Sequence, residues 1–457
     1  MNRILILLLS MLSLASCKTT PSKDYILLTG TISNTTSEKF RLSGQGLRMP
    51  IALAEDGSFT CDTMFSGTGR YTFTDGRNTA YLYLKTGGTY NLTATINKFK
   101  TTAKITGTNP DASNYLLTEY EHNNNLRGVY AEYNSLNETD FSDKQQTIFE
   151  ANTKYLESFK GLPKEFEEVE RKELYYTHYL ALIKYESLHR RYTNQPDFKV
   201  SDNFMKQFES VDFLDEQAFK RRGSYDDLVK EYFVRKANEF AEHEGIDKYL
   251  AKLKVFGEIP NDYIKNNLLN SAAKYDIAYT DNIDTYYNTF IAASTSEANN
   301  KSFTEKYTAL KKLSKGEPSP VFTDYVNNAG GTNSLNDFKG KYVYMDVWAT
   351  WCGPCIAEVP ALKKIEKQYH NKNIEFISIS IDTQDKREAW SKMIADKALG
   401  GVQLLADKDW STDFIVAYKI NSIPRFILID PNGNIVSWNA PRPSNDELIT
   451  LFNELGI

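Results

Sequence analysis

The sequence predicts a multidomain chain: an N-terminal antiparallel β-sandwich-like domain, a helical middle domain and a C-terminal α/β domain. Three observations predict it. At 457 residues the chain is too long for one ordinary core. Near residue 110 the apolar spacing changes from strand-like alternation to helical spacing. Near the C-terminal third, a strand pattern at Tyr342–Val347 runs into Trp351-Cys352-Gly353-Pro354-Cys355 and then into a helical pattern from Pro354 to about Tyr369. The net charge of −5 argues against a nucleic-acid partner. Four cysteines are too few for a disulfide-stapled fold.

The chain opens with a short positive start, Asn2-Arg3, and an apolar run from Ile4 to Leu14. That run falls short of the roughly 20 residues a membrane helix needs, so residues 1–16 read as an export signal. It ends in Leu14-Ala15-Ser16-Cys17, which resembles the lipobox of bacterial lipoproteins. The resemblance implies cleavage before Cys17, lipidation of that cysteine and anchoring in a Gram-negative cell envelope. Residues 17–24 then read as a polar tether. An ordinary signal peptide or an uncleaved anchor is the rival reading.

Residues 25–108 hold short β-like runs, among them Tyr25–Ile32, Arg70–Phe73, Ala80–Leu84 and Tyr90–Ile96. Turn signals at Asp56-Gly57, Gly67-Thr68-Gly69, Asp75-Gly76 and Gly87-Gly88 separate them. This spacing suits a small antiparallel sandwich. It also resembles the β-rich domain placed before redox domains in Bacteroidetes envelope proteins. Cys61 reads as a buried thiol, with an intermolecular bridge as the alternative.

Residues 110–315 carry apolar and aromatic residues at helical spacing, with Leu174, Tyr175, Tyr179, Leu182, Ile183 and Leu188 as the longest run. Gly161-Leu162-Pro163, Gln195-Pro196-Asp197 and Gly257 to Pro260 break the pattern. Several antiparallel helices are expected. Most of the 29 tyrosines read as packing residues on half-buried faces. A docking surface for partners or a homodimer face is a further expectation here, with no location assigned. Leu313 to Pro320 is a linker by composition.

Residues 318–457 read as alternating strands and helices closing on a hairpin around Pro431-Asn432-Gly433-Asn434. Cys352 falls where a strand turns into a helix. Unpaired helix N–H groups there stabilise a thiolate, and a thiolate attacks disulfides. A cysteine one turn later can release the mixed disulfide. Zinc is the rival reading, but it needs about four ligands, and the five histidines show no ligand spacing. No metal and no cofactor are expected.

The order of motifs in 318–457 resembles the thioredoxin superfamily, specifically the TlpA/ResA-like thiol-disulfide oxidoreductases of bacterial envelopes. The resemblance rests on Val347-Trp348-Ala349-Thr350-Trp351-Cys352-Gly353-Pro354-Cys355, on Glu358 and Pro360, and on Ile423-Pro424 before the strand Phe426–Asp430. It implies a thioredoxin-like fold, with Cys352 as nucleophile and Cys355 as resolving thiol. It implies that Pro424 is the family's cis-proline and that Trp351, Gly353, Pro354, Ile423 and Pro424 meet substrate. Asp346 stands at the position of the buried thioredoxin acid, where it would take the Cys355 proton; many TlpA/ResA-like chains carry Asn there. The rival reading is a strand residue satisfied by its neighbours. Glu358 matches an acid near the cysteines, against an ordinary exposed helix residue. Arg425 stands where Thr is common, and its guanidinium is expected beside the site, favouring acidic partners or the thiolate.

The function that follows is a lipid-anchored envelope thiol-disulfide oxidoreductase that reduces disulfides of extracytoplasmic proteins. A membrane thiol reductase would recharge it. Oxidase or isomerase action uses the same residues, and a binding lipoprotein whose N-terminal domains carry the main role is the alternative of a different class. The peroxidase pattern is absent, because Ala349 and Met345 occupy its key positions.

Overall fold

The computed structural model describes residues 24–35, 39–61, 65–221, 223–280 and 282–457. The export signal, the lipobox Cys17 and nearly all of the tether lie outside them. The chain forms two compact units that part between Tyr232 and Phe233. The helices expected as one middle domain contribute to both.

The first unit begins with eight strands: β1 (Leu27–Ser33), β2 (Lys39–Gly44), β3 (Leu47–Ala52), β4 (Ser58–Thr60), β5 (Gly69–Thr74), β6 (Thr79–Leu84), β7 (Thr89–Thr95) and β8 (Lys104–Gly107). They form two four-stranded sheets, ordered β4-β1-β7-β8 and β3-β2-β5-β6. One core draws on both, with Leu28, Ile32, Phe40, Leu42, Phe73, Leu82 and Leu92 fully or nearly buried. Each such side chain contributes about 1.5–3 kcal/mol. Cys61 is buried in the same core. One expectation needs correction: the sheets are not wholly antiparallel, because β1 and β7 pair in parallel from Leu27↔Thr89 to Ser33↔Thr95. Parallel pairing needs a long connection, and residues 34–88 supply it by building most of the rest of the β-region. Helices Asp111–Arg127, Glu138–Ser158 and Lys164–Thr193 follow.

The second unit starts with helices that include Lys248–Gly257, Asp262–Tyr275, Ile283–Ala293 and Glu297–Lys311. Beyond them lies a seven-stranded sheet of β9 (Tyr325–Asn327), β10 (Thr332–Asn333), β11 (Tyr342–Trp348), β12 (Ile374–Ser380), β13 (Val402–Leu405), β14 (Arg425–Ile429) and β15 (Ile435–Ser437). Its order is β10-β9-β13-β12-β11-β14-β15. The first strand of this sheet begins at Tyr325, after the linker, and the two-residue β10 lies at its edge. Strand β11 is central, parallel to β12 and antiparallel to β14. Near-continuous burial of β12 and β14 fits strands covered on both faces. On one face Tyr344, Phe426 and Leu428 pack with Leu362, Ile365 and Tyr369 of the helix Gly353–Tyr369 and with Leu448 and Phe452 of the helix Glu447–Glu454. Among the described residues no helix is long and apolar enough to cross a membrane.

Candidate active site

Strand β11 delivers the chain to the site, and the loop after it is fixed from below. Thr350 donates to Asp382 through its amide at 2.9 Å and its hydroxyl at 2.7 Å. Ser380 donates to the same carboxylate at 2.8 Å. Asp382 is fully buried, so these charge-assisted bonds hold the turn before Cys352 rigidly. Sequence reading passed over Asp382, which follows the apolar run of β12 with no local signal of its partner thirty residues earlier.

Cys352 is the N-cap of the helix Gly353–Tyr369, in extended conformation. Its Sγ accepts the Cys355 amide N–H at 3.2 Å. Pro354 stands in the first turn, where no amide hydrogen is needed. The two cysteines form a disulfide with Cα atoms 5.3 Å apart, so the structure is the oxidised form. Both are nearly buried, whereas Trp351 is 61% exposed and Gly353 and Pro354 are exposed. The Ile423–Pro424 peptide is cis, and both residues are half-buried.

Behind Cys355 lies a narrow cavity of about 20 Å³. Asp346, Trp348, Cys355, Glu358, Glu366, Ser378, Gln403 and Pro424 are among its lining residues. Asp346 is half-buried and lines this cavity. Burial pushes its carboxyl up to about 7, and the Ser378 hydroxyl, donating at 2.6 Å, opposes this in part. Asp346, Cys355, Glu358 and Pro424 thus line one cavity, and Cys352 is joined to Cys355 beside it. Glu358 is not the exposed helix residue of the rival reading. It is buried, accepting from the Ser444 amide at 3.1 Å and hydroxyl at 3.0 Å, with Arg442 at 3.6 Å.

Arg425 departs from expectation. Its neighbours Pro424 and Phe426 line the cavity, and strand alternation turns Arg425 to the opposite face. There it is 3% exposed, stacked between Tyr279 and Trp438 with 5.5 Å to each ring and bonded to Asn439. Burial lowers its pKa, and no guanidinium meets the substrate from this position.

A dithiol capping a helix, beside a cis-proline and above a buried acid, defines a thioredoxin-like thiol-disulfide oxidoreductase. Comparison with known proteins agrees. Residues 314–448 match the Redoxin family model. The thioredoxin-like protein YneN of Bacillus subtilis (strain 168) is 31% identical over 123 residues, which is 27% of this chain and 69% of that protein. The thiol-disulfide oxidoreductase ResA of Bacillus anthracis is 30% identical over 140 residues, 30% of this chain and 75% of ResA. The solved thioredoxin domain of a thiol-disulfide oxidoreductase from Bacteroides vulgatus is 33% identical, covering 31% of this chain and 98% of that one, with a TM-score of 0.29. The chain belongs to the TlpA/ResA-like thiol-disulfide oxidoreductases of the thioredoxin superfamily.

Proposed function

We propose that the protein reduces disulfides of extracytoplasmic proteins in a bacterial cell envelope. Cys17 is its lipid anchor, residues 17–24 its tether, and a membrane thiol reductase its electron source. Residues 25–108, 110–315 and 318–457 serve as β-rich, helical and redox domains. The Cys352 thiolate attacks a substrate disulfide, forming a mixed disulfide and releasing one substrate thiolate. Cys355 loses its proton to Asp346 and attacks the Cys352 sulfur. The second substrate thiolate leaves and takes a proton from water, so two electrons have passed to the substrate. Trp351, Gly353, Pro354, Ile423 and Pro424 form the rim on which the substrate segment lies. Glu358, tied to Ser444 and Arg442, holds the helix side of the cavity in place.

The observation that carries the reading is the Cys355 N–H donated to Cys352 Sγ at the start of a 17-residue helix. It supplies the positive end of a helix where a sulfur anion must form. Trapping tests it. A Cys355→Ser variant retained in the envelope should accumulate mixed disulfides through Cys352 with extracytoplasmic proteins, identified by mass spectrometry. The Cys352–Cys355 potential should fall near that of thioredoxin, about −270 mV; a value near about −120 mV would make the protein an oxidant instead.

A further inference from the structure

The cavity behind Cys355 is built in a way the dithiol alone does not explain. Across the sheet Gln403 pairs with Ser378, Ser378 with Asp346 and Asp346 with Phe426. Three polar side chains, Gln403, Ser378 and Asp346, therefore stand side by side across the middle of the sheet. The helix above them presents Cys355, Glu358, Leu362 and Glu366 to the same cavity, at spacings that keep one helix face. Two of the residues that line this cavity carry a buried polar atom, Gln403 Oε1 and Trp348 Nε1, with no hydrogen-bond partner among the described residues. Gln403 is 5% exposed and Trp348 3%. A cavity wide enough for a water molecule, lined by Asp346 and Ser378 and by two residues that carry an open acceptor and an open donor, has the marks of an internal water site.

Glu366 is a residue the dithiol mechanism leaves unused. It is half-buried, and its carboxylate lies against Gly400, where any Cβ would collide with Oε2. Gly400 has no left-handed backbone to demand glycine, so the space it leaves is what Glu366 occupies. We infer that Glu366 is the outer station of a proton path that carries the Cys355 proton, by way of Asp346 and cavity water, to solvent. The inference rests on the dithiol reading above and deepens it.

The geometry sets the order of transfer. Residues 355 and 366 are about 16 Å apart along the helix at 1.5 Å per residue, too far for direct exchange. Helix side chains lean toward the N-terminus, so Glu366 reaches back toward the cavity. Asp346 takes the proton from the Cys355 sulfur as that sulfur bonds to Cys352. Water then relays it to Glu366, and Glu366 releases it to bulk solvent. Asp346 returns to its ionised form, ready for the next turnover. Burial pushes Asp346 and Glu366 each up to about 7, so neither is a proton trap for the other. The charged groups facing the pair are Glu358 and Lys363 from the same helix, with Arg442 against Glu358. Ser378, Gln403 and Gly400 from the neighbouring strands and turn are neutral.

Glu366 touches neither substrate nor sulfur and acts through Asp346, so its test must read a pH profile. The reduced full-length protein is mixed with a disulfide-bonded model peptide, and formation and release of the mixed disulfide are followed by stopped flow from pH 5.5 to 8.5. Glu366→Gln should leave formation unchanged, slow release at least threefold at pH 7, and replace a broad two-step pH profile with a single step. Gly400→Ala, which crowds the same carboxylate from outside the helix, should shift release in the same direction. Release rates and profiles within 1.5-fold of wild type for both variants would overturn the inference. A Cys355→Ser control separates the two layers: it should not release at any pH, and release from it would sink the dithiol reading itself.

Discussion

Both units of the molecule hold carboxyl groups raised by burial, and the two clusters are put to different ends. In the first unit Glu119 is pushed up to about 7 by burial and then by the charge of Glu170. Glu170 is also raised by burial, but Arg70 pairs with it directly and offsets part of the rise. In the second unit the partner of Asp346 is the Ser378 hydroxyl, and Cys355 lies on the same cavity. The same desolvation thus gives a packing cluster in one place and, on the function proposed above, a proton acceptor in the other. A raised carboxyl acquires chemistry when a group that must lose a proton shares its cavity.

The largest effect that tests this contrast is in the first unit. Arg70→Ala leaves Glu170 buried and uncompensated beside Glu119, and should cost about 3 kcal/mol in denaturant titrations at pH 8. Without Arg70 the folded carboxyls sit further above their unfolded pKa and bind more protons than the unfolded chain. Stability of the variant should therefore fall as pH rises, and the loss should shrink at pH 5. Its rate of disulfide exchange should stay within about twofold of wild type. A large rate change would break the contrast.

Asp346→Asn should act the other way round. Release of the mixed disulfide should slow about 100-fold at pH 7, the low end of the range expected of a lost general base. Its stability should rise by roughly 1–3 kcal/mol at pH 8: ionising a carboxyl held near 7 costs the folded state about 1.4 kcal/mol per unit of pKa, reduced here because Asp346 is only half-buried and solvent screens its charge. The sign follows from a folded pKa above the unfolded one: the wild type loses stability between about pH 4 and 7, and the variant does not. Glu119→Gln should leave exchange kinetics unchanged, which sharpens the comparison from the other side. Arg425→Leu gives the smallest effect. It removes cation–π contact with Tyr279 and Trp438, costing about 1–2 kcal/mol in chemical denaturation, with Cys352 alkylation unchanged.

How far the sequence carries depends on the distance between interacting residues. Cys352, Cys355 and their helix are contiguous, and the strand-to-helix switch that activates them is written in local periodicity. Asp346 and Glu358 lie within six residues of a cysteine, close enough for spacing to suggest them. Gln403 and Ser378 meet the site only through sheet register, and nothing in their own neighbourhoods marks them. Glu366 reads as an ordinary charged helix residue until Gly400 is found beneath it. Parallel pairing of β1 with β7 is likewise invisible to alternation, which reports burial but not the neighbour. Arg425 was misplaced because adjacency to Pro424 in sequence suggested adjacency in space; strand alternation puts neighbouring side chains on opposite faces.

The central claim is that Cys352 is held as a thiolate by the helix it caps. Iodoacetamide alkylation of the Cys355→Ser variant, followed from pH 4 to 9, measures this directly. The midpoint should lie at least one pH unit below the ordinary cysteine value of about 8.5. A midpoint at 8.5 or above would contradict it.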